Sequence, residues 1–282
     1  MKKDLHIHTI HSDGEKTVSQ IVEMVKKAGV REFAITDHDT IGGDIELKSN
    51  EKLLKELAEN NIKFRAGIEI STYHEGKKFH ILGLDIDINN PDINNLIKNI
   101  IEGRKKRAIL IFDKLKKDFG IELKKEDVEA LKARKVLGKP HIAEVLVRDG
   151  YAENIEAAFR KYLKKIEVHE GKISVQEAIS VIHKAGGIAV WAHPKTLMAD
   201  YNLKFKAVLK TLKEFIRFGL DGIETKHSCH TEKEYRKFRY FARHFNLIQT
   251  CGSDYHGEVV LPGVELGNSN FQQFKYLNKI KK

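Results

Sequence analysis

Asp4-Leu5-His6-Ile7-His8-Thr9-Ile10-His11-Ser12-Asp13-Gly14 opens the chain, with polar and apolar residues alternating from Asp4 to Thr9. A period of two marks a strand with one buried face, so the spacing predicts a first strand over residues 4–9. On a strand His6 and His8 share a side, their Cα atoms ~7 Å apart. Two imidazoles at a strand end, followed by a Ser-Asp-Gly turn, suit a divalent cation. A surface strand that happens to carry histidines is the plain alternative, and the rest of the chain must decide.

Working outward, Thr17-Val18-Ser19-Gln20 is a capping box, and Val18, Ile21, Val22 and Val25 repeat at helical spacing up to Gly29. Residues 32–36 are apolar and β-prone and stop at Asp37-His38-Asp39-Thr40. A helix is expected over 44–59, a third strand over 63–70 ending at Glu69, and a fourth over 79–85. The order β-α-β-α-β-β points to an α/β protein with a mainly parallel sheet. After Pro91 the pattern changes. Ile97, Ile100, Ile101, Ala108, Ile111, Phe112 and Leu115 predict a long amphipathic helix. Shorter helices are expected over 125–132, 140–148 and 155–163. Alternation resumes with the capping box Ser174-Val175-Gln176-Glu177 and a strand over 188–192 that ends at His193-Pro194. A helix over 203–218, a short strand over 222–224, a helix capped at Thr231 and a strand over 247–251 complete the pattern. The expected architecture is a barrel-like α/β fold built from residues 1–91 and 166–282. Residues 92–165 are expected to form an all-helical insertion, placed to cap a substrate.

The chain has 282 residues, 41% of them hydrophobic and 32% charged, an ordinary soluble composition. Its longest apolar runs, such as residues 108–112, are far too short to span a bilayer. Met1-Lys2-Lys3 leads straight into the first strand, so no signal peptide and a cytoplasmic location are expected. Two cysteines without CxxC spacing argue against a disulfide framework or a thiolate zinc site. A net charge of +10 favours an anionic partner, although a lysine-rich solvated surface explains it equally well. No obligate protein partner is evident.

The polar residues fall at one place in each unit, the C-terminal end of a strand or the loop after it, which is the active face of α/β barrels. His6, His8 and Asp13 come from the first unit, Asp37 and His38 from the second, and Glu69 from the third. His80 comes from the fourth, His193 follows the insertion, and Asp254 and His256 come from the last. So many nitrogen and oxygen ligands exceed what one ion needs, and two or three closely spaced divalent ions is the economical reading.

Asp4-Leu5-His6-x-His8-Thr9-x-x-Ser12-Asp13-Gly14, Ile35-Thr36-Asp37-His38, Gly67-x-Glu69, His80, Ala192-His193-Pro194 and Gly252-Ser253-Asp254-x-His256 together resemble the PHP family, named for its polymerase and histidinol phosphatase members. The resemblance spans nearly the whole chain, with its motifs in order. It implies a distorted (β/α)7 barrel holding a trinuclear metal site. Carried over, His6, His8, Glu69 and Asp254 hold one ion. Glu69 bridges to a second, also bound by His80 and His193, and Asp13, His38 and His256 hold the third. Asp37 is expected to orient His38 or another ligand from behind. Imidazole with carboxylate suits Mn2+, Fe2+ or Zn2+ better than Mg2+ or Ca2+ alone, and Mn2+ is the ion expected first.

Ile81-Leu82-Gly83, Glu102-Gly103-Arg104-Lys105-Lys106-Arg107 and Leu137-Gly138-Lys139-Pro140-His141-Ile142-Ala143 further resemble PHP members that hydrolyse 3′,5′-nucleoside bisphosphates, or short RNA from its 5′ end. Arg104 and Arg107 lie three apart on one helix face and could grip a phosphate together. Lys139 and His141 could join them from a helix start. A solvated helix face is the alternative for these four. The implied reaction is hydrolysis of a nucleotide or short-RNA phosphoester by a metal-activated water, with Glu69 at the centre and His227 or His230 as proton donor. Histidinol-phosphate phosphatase, and a nucleic-acid-binding module with a non-catalytic metal site, are the competing readings. His11, His74, His169, His183 and His244 are expected to be loop or surface residues, and Cys251 a small apolar one.

Overall fold

The alternation over residues 4–9 yields less strand than it promises. In the computed structural model, which describes residues 1–134, 137–168 and 171–267, strand β1 covers only Lys3–Asp4. Ile7 rejoins the sheet through a single bridge to Tyr255. Side chains take the donors a ladder would use. Ile7 N–H donates to Thr36 Oγ1 (3.2 Å) and Thr9 N–H to Asp37 Oδ1 (2.7 Å).

Helix α1 (Val18–Lys27) starts at the expected Thr17–Gln20 capping box and buries Val18, Ile21, Val22 and Val25. Strand β2 (Glu32–Ile35) follows. The helix expected over 44–59 is two helices, α2 (Gly42–Ser49) and α3 (Glu51–Glu59). Asn50 leaves helical conformation (φ −102°, ψ 90°) and caps α3 by accepting from Leu53 N–H. Such a side chain favours a cap over a helix interior. Strand β3 (Lys63–His74) turns through Glu75 and Gly76 into β4 (Lys77–Leu84). Both turn residues have positive φ, 46° and 74°, as a two-residue hairpin requires.

Helix α4 (Pro91–Phe119), α5 (Lys125–Ala133), α6 (Lys139–Arg148) and α7 (Ile155–Ala158), continued by a π-turn over Phe159–Leu163, make up the helical stretch. Strand β5 (Ile173–Ser174), α8 (Val175–Lys184) and β6 (Ile188–Trp191) come next. They are followed by α9 (Lys195–Asp200), α10 (Phe205–Arg217), β7 (Gly222–His227), α11 (Glu232–His244) and β8 (Ile248–Gly252). Helix α9 is absent from the sequence reading, and β7 runs three residues beyond it.

The sheet order is β1-β2-β3-β4-β6-β7-β8, with β5 paired to β3 off this path. Leu5 N–H donates to Cys251 O and Asp254 N–H to His6 O, both at 2.9 Å, so the last strand lies beside the first. Seven strands thus make a nearly closed barrel. Strand β4 runs antiparallel to both β3 and β6, while the other pairings are parallel. The reversal corrects one expectation. His80 lies within β4 opposite Ser71, not at the end of a forward strand, and the tight hairpin delivers it to the same rim as Glu69. Ile7, Val22, Phe33 and Ile35 belong to one core cluster beneath α1.

The chain divides into two compact units, residues 1–94 with 173 onward, and residues 95–172. Hydrophobic periodicity put the helical stretch at 92–165. The first unit resumes only at Ile173, where pairing with Thr72 begins. The second unit has its own core, including Ile111, Leu115, Leu131, Leu146 and Leu163. Among the described residues no helix is long and apolar enough to cross a membrane.

Candidate metal centre

Glu69 sits fully buried where the strand ends converge, and its two oxygens face different partners. Oε2 lies 3.2 Å from His6 Nε2, 3.2 Å from His8 Nε2 and 3.0 Å from His38 Nδ1. Oε1 lies 2.9 Å from both His80 Nδ1 and His193 Nε2. Asp254 Oδ1 closes a ring with the first two histidines, 3.3 Å from His6 Nε2 and 3.2 Å from His8 Nε2. Four atoms bound tetrahedrally at ~2.0 Å from a cation stand about 3.3 Å apart, which matches this ring. His6 Nε2, His8 Nε2, His38 Nδ1 and Glu69 Oε2 are buried without a hydrogen-bond partner. Ligand atoms of His6, His8, Glu69 and Asp254 all lie within 4.8 Å of one another, and His38 joins Glu69 and His80 in a neighbouring group, an arrangement that fits divalent cations.

A second cluster joins His8, Asp13, His38 and His256. Asp13 Oδ1 is 3.3 Å from His256 Nε2 and 3.7 Å from His8 Nδ1, and Oδ2 is 3.9 Å from His38 Nε2. His8 and His38 therefore stand between the two clusters.

Electrostatics reinforce the geometry. Burial alone would raise the Glu69 carboxyl, but His38, His6 and His80 around it hold it well below the usual carboxylate range. Burial also opposes ionisation of Asp254, and His6 and His256 override it. Burial pushes the His80 imidazole down to about 4, leaving it neutral. Burial likewise works against the His38 imidazolium, but Glu69 and Asp13 carry it up to about 9. The cluster is built to hold positive charge.

Glu224 is the residue the sequence reading missed. It is fully buried on β7, with Oε1 and Oε2 at 3.3 and 3.4 Å from His6 Nδ1. A carboxylate there favours the proton on Nδ1, which leaves the His6 Nε2 lone pair for a ligand. Glu224 Oε2 also accepts the His193 N–H at 2.8 Å. This bond holds a strained residue, since His193 has φ +29° and non-glycine residues adopt such angles at a cost. An acidic residue in a short strand otherwise buried was the available signal. Asp254 is strained too (φ +59°), held by its N–H to the His6 carbonyl. Gly252 permits this approach. A Cβ there would lie 2.2 Å from His6 Cβ and 2.6 Å from Glu224 Oε1.

Asp37 turns its carboxylate to the loop after His8. Its Oδ1 accepts from Thr9 N–H (2.7 Å) and Ser12 Oγ–H (2.6 Å), and Oδ2 from Thr9 Oγ1–H (2.7 Å). It pins the loop between His8 and Asp13. Asp4 pins the other loop, accepting from Ser253 N–H (2.9 Å) and Gly267 N–H (2.6 Å).

A cleft of about 260 Å³ opens on the cluster, lined among others by His38, His80, His193, His227, Cys229 and Asp254. His227 is the last residue of β7, not part of the loop after it. Its Nδ1 accepts from Cys229 N–H at 2.9 Å, and Nε2 stands 3.6 Å from Asp254 Oδ2. His230 Nδ1 faces the Thr225 carbonyl at 2.9 Å. Burial, with His227 nearby, keeps the His230 imidazole well below its ordinary value.

In the helical unit, Lys139 Nζ donates to the carbonyls of Leu163 (2.6 Å) and Ile166 (2.8 Å). His141 Nδ1 accepts from Gly138 N–H (3.1 Å), and Arg104 Nη1 donates to Leu137 O (3.4 Å). These contacts knit the unit's own ends together. Arg107 lies half-buried on α4. His11 pairs with Glu46, His74 with Glu214 and His183 with Asp221, all away from the cluster. His244 is exposed, and His169 lies outside the described residues. Burial pushes the Cys251 thiol up to about 12, as for a residue that packs rather than reacts.

The profile of the PHP domain matches residues 4–178. The chain belongs to the PHP family. It is 36% identical over 258 residues to a 5′-3′ exoribonuclease of Haemophilus influenzae, covering 90% of each chain. It is 31% identical to the phosphoribosyl 1,2-cyclic phosphate 1,2-diphosphodiesterase of Eggerthella lenta, covering 92% of this chain and 95% of that one. It is also 29% identical to a 3′,5′-nucleoside bisphosphate phosphatase of Chromobacterium violaceum, covering 90% of this chain and 86% of that one. Among solved structures, a provisionally assigned metal-dependent phosphoesterase from Bifidobacterium adolescentis superposes with a TM-score of 0.76 at 29% identity. That match covers 99% of this chain and 94% of the other.

Proposed function

We propose that this protein is a metal-dependent phosphoesterase acting on 3′,5′-nucleoside bisphosphates and short 5′-phosphorylated oligoribonucleotides. One observation carries the reading. Glu69 turns one oxygen to His6, His8 and His38 and the other to His80 and His193. His6, His8, Glu69 and Asp254 would hold one ion. Glu69, His80 and His193 would hold a second, and Asp13, His38 and His256 a third. The mixed imidazole and carboxylate set suits Mn2+, Fe2+ or Zn2+ better than Mg2+ or Ca2+ alone, and Mn2+ is the ion we propose first. Divalent ions held there supply Lewis acidity, acidifying the attacking water and offsetting charge on the phosphate oxygens.

The chain's own residues supply the rest. The Cys229 N–H on His227 Nδ1 leaves the proton on Nε2, which faces the cleft beside Asp254. His227 is thus poised to protonate the leaving alkoxide. His230 spends its Nδ1–H on the Thr225 carbonyl, and its burial disfavours a second proton. Of the two candidate donors, His227 is the better placed. Arg104 and Arg107 remain proposed phosphate contacts. Lys139, bound to two carbonyls, is a weaker one.

The names of the relatives favour nucleic-acid and sugar phosphoesters over histidinol phosphate. The test is to quantify metal in the purified protein and offer five substrates with Mn2+. They are p-nitrophenyl phosphate, adenosine 3′,5′-bisphosphate, ribose 1,2-cyclic phosphate, histidinol phosphate and a 5′-phosphorylated short RNA. Release from the bisphosphate or the RNA is expected. Metal-loaded protein inert on all five would overturn the enzyme reading, and turnover of histidinol phosphate alone would overturn the substrate class.

A further inference from the structure

We infer that a groove between α10 and α11 binds a single RNA strand continuing from the cleft; this rests on the nucleotide phosphoesterase reading above. The groove, of about 590 Å³, is lined by Phe205, Glu232, Lys233, Arg236 and Lys237. Lys233, Arg236 and Lys237 stand at i, i+3 and i+4, so they share one helix face, and all three are exposed. Phe205 is half-buried and stands T-shaped to the buried Phe238 ring (centroids 6.0 Å, 69°). An aromatic floor with a cationic rim is the pattern that holds single strands, bases on the ring and phosphates on the cations.

Position ties the groove to the site. Helix α11 begins at Glu232, capped by Thr231, only three residues after Cys229, which lines the cleft. Lys195 fastens the junction by donating to Cys229 O (2.7 Å) and pairing with Glu234 (3.2 Å). A strand leaving the cleft there meets Lys233 first and Lys237 ~6 Å further along the helix. Two acidic groups temper the face. Glu234 is taken up by Thr231 and Lys195, and Glu232 pairs with Arg236 at 2.7 Å. The helix still carries five Lys or Arg against these two acids. Charge complementarity therefore favours a polyanion over an acidic side-chain patch or a second copy of this basic chain.

The experiment uses the full chain without metal, so that no hydrolysis occurs, and a labelled octanucleotide RNA read by fluorescence anisotropy against salt. Lys233→Ala/Arg236→Ala/Lys237→Ala should bind about tenfold more weakly. Its slope of log affinity against log salt should be shallower by about 2, from about 0.7 per lost phosphate contact. Phe205→Leu, which keeps the apolar volume but loses the ring face, should weaken binding about fivefold. With Mn2+, the triple variant's ratio of kcat/KM on the octamer to that on adenosine 3′,5′-bisphosphate should fall about tenfold. Unchanged affinity and slope in the triple variant would overturn the inference. So would an equal loss on both substrates, or displacement of the RNA by polyglutamate as readily as by unlabelled RNA. A wild-type protein that binds RNA through these residues but hydrolyses nothing would sink the enzymatic reading and leave the groove standing.

Discussion

Glu224→Gln perturbs the carboxylate that stands behind His6. The carboxylate serves two donors, with both oxygens toward His6 Nδ1 (3.3 and 3.4 Å) and Oε2 on His193 N–H (2.8 Å). The amide has the same shape but only one acceptor oxygen. If that oxygen stays on His193 N–H, the NH2 group opposes His6 Nδ1–H. The clash is relieved when His6 moves its proton to Nε2, which removes the lone pair aimed at Glu69 and Asp254. Losing such a supporting partner weakens metal affinity 10–100-fold, or about 1.4–2.7 kcal/mol. Chelator competition with Mn2+ measures this directly. The metal concentration for half-maximal activity should rise by the same factor, while the rate at saturating metal largely recovers. Unchanged metal affinity in a Glu224→Gln protein with a native circular dichroism spectrum would refute the tautomer argument.

Glu69→Ala should cost more activity than His6→Ala and remove more bound metal, because Glu69 faces both histidine groups; equal losses with equal metal content would argue against sharing. Mn2+ at a hundred times its dissociation constant should stabilise the protein by about 2.7 kcal/mol, or roughly 5–10 °C in Tm. Differential scanning fluorimetry that shows no shift would contradict a metal held in the native state. Gly252→Ala places a methyl 2.2 Å from His6 Cβ, and overpacking of this kind costs about 1–3 kcal/mol. Urea titration should show that loss, and wild-type stability with intact metal binding would mean the barrel seam is looser than described.

Most of the cluster was legible because metal chemistry demands particular residue types at particular strand ends. His6, His8, Asp13, His38, Glu69, His193, Asp254 and His256 each stand beside a strand whose periodicity could be read. Capping boxes at Thr17 and Thr231 also marked helix starts correctly, since they depend on neighbours three residues apart. Two local readings failed. The break at Asn50 was hidden by apolar spacing that carries straight through it, and β1 was shortened by side-chain acceptors, Thr36 and Asp37, that follow β2.

Other features were beyond any local pattern. Glu224 gained its role from His6, 218 residues away, and Asp37 from Thr9 and Ser12 rather than from His38 beside it. Lys139 looked like an anion ligand, yet its ammonium found the carbonyls of Leu163 and Ile166. Hydrogen-bond partners of this sort depend on where the chain returns, and composition does not record it. The sequence by itself determined which residues could bind metal and the strand–helix alternation that carries them, because side-chain chemistry and periodicity are local. Only the tertiary structure decided which oxygen of Glu69 faces which histidine, and that the opening stretch leaves the strand ladder after Asp4, with Ile7 tied to Thr36, Thr9 to Asp37 and His6 backed by Glu224. Those outcomes arise from closure of the barrel, where β8 and β1 meet and buried polar groups must find partners across the chain.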